Sequence, residues 1–115
     1  PTGDLVLKAV ARTIAGQLRA NDLAGRLGAE EFGILFYATT RCEALEAAER
    51  VRRAIEALEV PDAPKVTVSI GLASIHDGEK LSSALAHADA ALYVAKREGR
   101  NRCVAAGSTE LSAAA

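Results

Sequence analysis

The chain has 115 residues, 50% of them hydrophobic, enough for one globular domain with a real core and too few for two. Its 14 Lys and Arg stand against 15 Asp and Glu, and aromatics make up 3% with no Trp, so the broad basic field and the stacking platforms of a nucleic-acid binder are both lacking. Cys42 and Cys103 belong to no CxxC pair and have no His at metal-ligand spacing, so two buried, reduced thiols are expected rather than zinc or a redox dithiol. With no basic-then-apolar leader and no apolar run of about 18 residues, the expectation is a cytoplasmic chain without a signal peptide or membrane span of its own.

After Pro1-Thr2-Gly3-Asp4, residues Leu5, Val6, Ala9, Val10, Thr13, Ile14 and Leu18 recur at helical spacing, with Thr2 or Asp4 as the cap. A helix that starts so early suggests a fragment whose preceding element lies upstream. Asn21-Asp22 breaks the helix, and Leu23 to Leu27 and Glu30 to Phe36 read as two strands of a hairpin turning at Gly28-Ala29. Thr40 and Glu43 form a capping box, and the helix they open carries Ala44, Leu45, Ala48, Val51, Ile55 and Leu58 on one face. Glu46 with Arg50 and Glu49 with Arg53, each four apart, support its exposed side.

Pro61-Asp62-Ala63-Pro64 makes a turn, and Val66, Val68, Ile70 and Leu72 then alternate with Thr67, Ser69 and Gly71 as in a half-buried strand closed by His76-Asp77-Gly78. Leu81, Leu85, Ala88, Leu92 and Ala95 form a narrow helical seam that stops at the C-cap Gly99. Cys103-Val104-Ala105 is a short last strand, and Gly107 to Ala115 reads as a disordered tail, which gives a folded unit at 1–106 and a tail at 107–115. The element order suits an α/β sandwich, helices against a mostly antiparallel sheet.

Three groups can carry chemistry. Glu30 and Glu31 follow a turn of small residues, where a carboxylate can hold Mg²⁺ shared with substrate phosphates or simply face water. Lys96 and Arg100, four apart at a helix end, can grip one anion or merely complement the helix dipole. Arg19 and Asp22, three apart, can hold a phosphate and a base edge or pair with each other.

The turn Gly28-Ala29-Glu30-Glu31-Phe32 resembles the Gly-Gly-(Asp/Glu)-Glu-Phe signature of the GGDEF domain, the diguanylate cyclase family. Val66-Thr67-Val68-Ser69-Ile70-Gly71 is similar to the strand that follows in that family, and Ala88 to Lys96 with Gly99-Arg100-Asn101 is similar to its C-terminal segment. The resemblance runs from Gly3 to about Val104. It implies a nucleotide-cyclase-like sandwich whose first strand and helix, carrying an Asp metal ligand and an Asn for guanine, would precede Pro1.

It also implies an activity: two domains, each with one GTP, meet head to head as a homodimer and condense the nucleotides into cyclic di-GMP and pyrophosphate. By position, Glu30 and Glu31 would bind Mg²⁺ (or Mn²⁺) and serve catalysis, while Gly28 and Ala29 line the substrate, Lys96 and Arg100 hold the triphosphate and Asp4 reads guanine. Arg19, Asp22 and Arg50 would form an RxxD-type allosteric site for the product. An upstream sensory or receiver domain is implied as a partner, and nucleic acid is not. Ala29 in place of the second Gly adds a methyl where backbone and nucleotide should pass closely. With the upstream elements absent as well, the chain alone is expected to be inactive or weak, and the alternative is a catalytically degenerate module that binds cyclic di-GMP or GTP.

Overall fold

The computed structural model describes residues 2–107, with side chains from residue 5 onward. Asp4 therefore lies within a helix while its side chain falls outside the described residues, as do residues 108–115 of the expected tail. The elements are α1 (Thr2–Gln17), β1 (Leu23–Gly28), β2 (Glu31–Tyr37), α2 (Arg41–Glu56), β3 (Ser69–Ile75), α3 (Leu81–Arg97) and β4 (Cys103–Ala105).

The four strands form one sheet in the order β1-β2-β3-β4. Only the hairpin pair β1–β2 is antiparallel, whereas β2–β3 and β3–β4 are parallel, so the sheet is mixed rather than mostly antiparallel. The reason is connectivity: α2 and α3 each carry the chain back along the sheet before the next strand begins, which is the geometry of a parallel crossover. Glu31 sits opposite Ser69, and this register starts β3 at Ser69 rather than at Val66.

Alternation along the strands separates two apolar layers. Ile34 and Phe36 of β2, with Ile70 and Leu72 of β3, pack against Val10 and Ile14 of α1 and against Ala44, Ala48, Val51 and Ile55 of α2. On the other face Leu35 and Ala73 meet Ala84 and Ala88 of α3. With a helix over each face, the first five residues of β3 are all buried, so this strand is fully rather than half buried.

The two layers differ in kind. At Gly71 a β-carbon would stand 2.1 Å from the Ala88 carbonyl oxygen and 2.3 Å from the Leu92 amide nitrogen, so strand and helix meet backbone to backbone. That approach selects a helix face of small residues. Ala84, Ala88, Ala91 and Ala95 are buried with Leu92, while Leu81 and Leu85 of the expected seam are half exposed, at 49% and 51%. Leu5 of α1 is likewise exposed, and Val6, Val10, Ile14 and Leu18 make the contact.

Helix α2 starts as its sequence requires: the Glu43 N–H donates to Thr40 Oγ1 at 3.2 Å, and the Thr40 hydroxyl donates to Glu43 Oε1 at 2.8 Å. Cys103 is half-buried, and burial pushes its thiol up to about 12, whereas Cys42 is exposed on α2, so only one of the two thiols is held away from water. Among the described residues no helix is long and apolar enough to cross a membrane.

Candidate functional site

The turn between β1 and β2 comprises Ala29 and Glu30, one residue later than the Gly28-Ala29 expected, because the pairing slips between Arg26 and Gly28. Gly28 ends β1 directly beneath the next strand's first side chain. A β-carbon there would come within 2.3 Å of Glu31 Oε1, so glycine is what lets the carboxylate lie across the turn. Glu30 is exposed, and its carbonyl accepts the Ser69 N–H at 2.9 Å, which ties the turn to the start of β3.

Glu31 is the focus of the cluster. Lys96 Nζ stands 3.4 Å from its Oε1 and Arg100 Nη1 3.5 Å from its Oε2, so two cations from the end of α3 reach one carboxylate at the head of β2. The carboxylate is 20% exposed, Lys96 34% and Arg100 58%, which makes the trio a partly screened surface cluster open to an incoming ligand. Of the expected substrate and metal residues, the fold gathers Gly28, Glu30, Glu31, Lys96 and Arg100 at one end of the sheet. Ala29 lines a small cavity with Val10, Arg26, Phe32 and Val68 on the α1 side.

The donor chemistry suits a hard cation held jointly with phosphates. Among the described residues no group of three or more His, Cys, Asp or Glu is placed to enclose a metal. Glu30 and Glu31 thus offer two carboxylates, which matches Mg²⁺ bound through one or two carboxylates plus substrate oxygens.

A network not visible in the sequence pattern fixes the loop that carries Arg100. Arg100 and Asn101 both have positive φ, 65° and 46°, a conformation that Asn tolerates better than most residues. Asn101 Oδ1 accepts from Arg52 Nη1 at 2.9 Å, its Nδ2 donates to Glu56 Oε2 at 2.7 Å, and its backbone N–H donates to Ser69 Oγ at 3.2 Å. The bond from Asn101 holds the Glu56 carboxyl below its ordinary value of 4.5. Because the shift is downward in the folded state, its contribution is present above that ordinary value and disappears as pH falls through the folded one. Asn101→Ala is expected to lower the Tm by roughly 5 °C near pH 7 and to bring the Glu56 titration, followed by NMR, back towards 4.5, with the gap between variant and parent narrowing in acid to what the lost Arg52 bond and the positive φ contribute.

Arg19, Asp22 and Arg50 do come together, around a cavity of about 210 Å³ between the α1–β1 link and α2. The Arg19 backbone N–H donates to Asp22 Oδ2 at 2.9 Å, and its Nη2 lies 3.5 Å from Asp22 Oδ1 and donates to Thr39 Oγ1 at 2.6 Å. Asp22 is 2% exposed and its Oδ1 has no hydrogen-bond partner, while Arg19 is 67% exposed. A buried acceptor with spare capacity beside a reachable guanidinium is an arrangement that can receive a polar ligand. Thr39, which steadies Arg19, was not among the sequence candidates. It is 20 residues away in the chain, and no spacing rule connects them.

A family model described as diguanylate cyclase, GGDEF domain, matches residues 1–102. Diguanylate cyclase DgcM of Escherichia coli K12 is 41% identical over 104 residues, 90% of this chain and 25% of that protein. Diguanylate cyclase A of Treponema denticola is 41% identical over 104 residues, 87% of this chain and 28% of that protein. The chain thus spans about a quarter of the length of these curated relatives. The GGDEF domain of DgcB from Caulobacter crescentus, solved in complex with c-di-GMP, superposes with a TM-score of 0.74 at 34% identity, covering 93% of this chain and 66% of that one. SiaD from Pseudomonas aeruginosa, solved with its activator SiaC, gives 0.71 at 40% identity over 90% of this chain and 41% of that one.

Proposed function

The chain belongs to the GGDEF family of diguanylate cyclases, and on that premise we propose that, within the complete protein, it serves as one half of a head-to-head homodimer that condenses two GTP molecules into cyclic di-GMP and pyrophosphate. The observation that carries this reading is the convergence of Lys96 and Arg100 on Glu31 beside the signature turn. When GTP binds, both cations turn from Glu31 to the triphosphate oxygens, and the carboxylate becomes available as a metal ligand. Mg²⁺ or Mn²⁺ held by Glu30 and Glu31 would neutralise charge on the phosphates.

Glu30, exposed at the turn, would accept the proton lost when a 3′-hydroxyl attacks the α-phosphate of the partner's GTP and pyrophosphate leaves. Asp4 contributes recognition of the guanine edge.

The second site takes the product. Arg19 and Arg50 supply two guanidinium groups, and Asp22 an unsatisfied acceptor, to a ligand with two phosphates and two guanines. Arg19→Ala is expected to weaken cyclic di-GMP binding at least about tenfold by calorimetry, the size of one lost charge-assisted hydrogen bond. Unchanged affinity would remove Arg19 from the site.

The decisive assay incubates the complete protein with GTP and Mg²⁺ and separates the nucleotides by chromatography. Cyclic di-GMP is the expected product. Bound GTP without product would support the non-catalytic binding module, and neither binding nor product would overturn both readings.

A further inference from the structure

At the opposite end of the parallel strands from Glu31, a cavity of about 510 Å³ opens where β2, β3 and β4 finish. Tyr37, Ile75 and Ala105 end these strands, and the residues that follow them form much of its wall. The chain leaves β2 for α2 on one face and β3 for α3 on the other. Adjacent strands whose connections part to opposite faces leave a crevice beyond their carboxyl ends, the common ligand position of open α/β sheets. The volume falls within the roughly 300–1,000 Å³ typical of small-molecule sites.

The lining has one sign of charge. Among the described residues its titratable side chains are Arg41, His76 and His87, with Ser74 also in the lining and no Asp or Glu. The nearby acids are turned to other tasks: Asp77 accepts from the Tyr37 hydroxyl, Glu79 accepts the His76 N–H at 2.8 Å, and Glu43 takes the Thr40 hydroxyl at 2.8 Å. Gly107, with φ of +92°, brings the chain past the Arg41 guanidinium with no side chain of its own.

We propose that this cavity binds a phosphate-bearing small molecule, with Arg41 and the two imidazoles as its anchors and Ser74 as a neutral donor. It is a separate site from the Glu31 cluster, at the far ends of the same strands, and it does not depend on the proposed cyclase activity. A guanidinium and two imidazoles lining one cavity suit the oxygens of a phosphate group, and the volume leaves room for a second one.

The test uses inorganic pyrophosphate as the probe and the imidazole NMR signals of the chain's two histidines as the readout, at constant pH and ionic strength. Both signals are expected to move along one saturating curve. His87→Gln, read through His76, and Arg41→Gln should each weaken binding about tenfold, while Lys96→Gln leaves it unchanged. Shifts that never saturate would overturn the proposal, as would a curve abolished by Lys96→Gln, or affinities unaltered in both cavity variants with folding intact by circular dichroism.

Discussion

Gly71→Ala is expected to lower folding stability by about 3 kcal/mol, at the upper end of the cost of overpacking a core, read as a fall in the urea midpoint with an unchanged slope. The added methyl would meet the Ala88 oxygen, the Leu92 nitrogen and the Leu92 Cα at 2.1, 2.3 and 2.7 Å. All three are backbone atoms, so no side-chain rotation relieves the clash, and α3 must lift from the sheet. Lifting it strips contact from Ala84, Ala88 and Leu35 together. Gly25→Ala is the control: nothing lies within 4 Å of its β-carbon, and the same change there is expected to be neutral or slightly stabilising. Similar midpoints for the two variants would contradict the backbone contact.

Glu31→Gln is expected to slow cyclic di-GMP formation by the complete protein about a thousandfold, the scale on which lost electrostatic stabilisation of a transition state is felt. Glutamine keeps the shape of the side chain across Gly28 but not its charge, so it neither holds Lys96 and Arg100 nor serves as an anionic metal ligand. Binding and rate should separate. With their carboxylate partner gone, both cations are freed for the triphosphate, and GTP affinity at low metal concentration should hold or rise while turnover falls. A loss of less than about tenfold in rate would take Glu31 out of the chemistry.

Much of this was legible in local pattern. The capping box at Thr40 and Glu43, the turn at Gly28 and the helix end at Gly99 each depend on a few neighbouring residues, and each stands within a residue or two of its expected place. Strand direction was not legible, because alternation along β3 is the same whether its neighbour runs with or against it. The buried face of α3 was misjudged for a similar reason: leucines outrank alanines as core residues until a glycine across the interface demands small ones. Glu31, Lys96 and Arg100 were singled out by spacing and by the family resemblance, and the fold brings their side chains together. Arg52 and Asn101, 49 residues apart, left no periodic trace, although an Asn after Gly-Arg at a helix end is a sign of positive φ.

The ion trio at Glu31 also bears on how a nucleotide would be received. A free lysine or arginine side chain explores many rotamers, and confining either costs about 2 kcal/mol of entropy. Lys96, tethered at 3.4 Å and two-thirds covered, has already lost much of that freedom in the folded chain, and the more exposed Arg100 has lost less. On the proposed reading, a triphosphate would find ammonium and guanidinium already gathered. Its arrival exchanges one set of ion pairs for another, so association should be fast and its heat small.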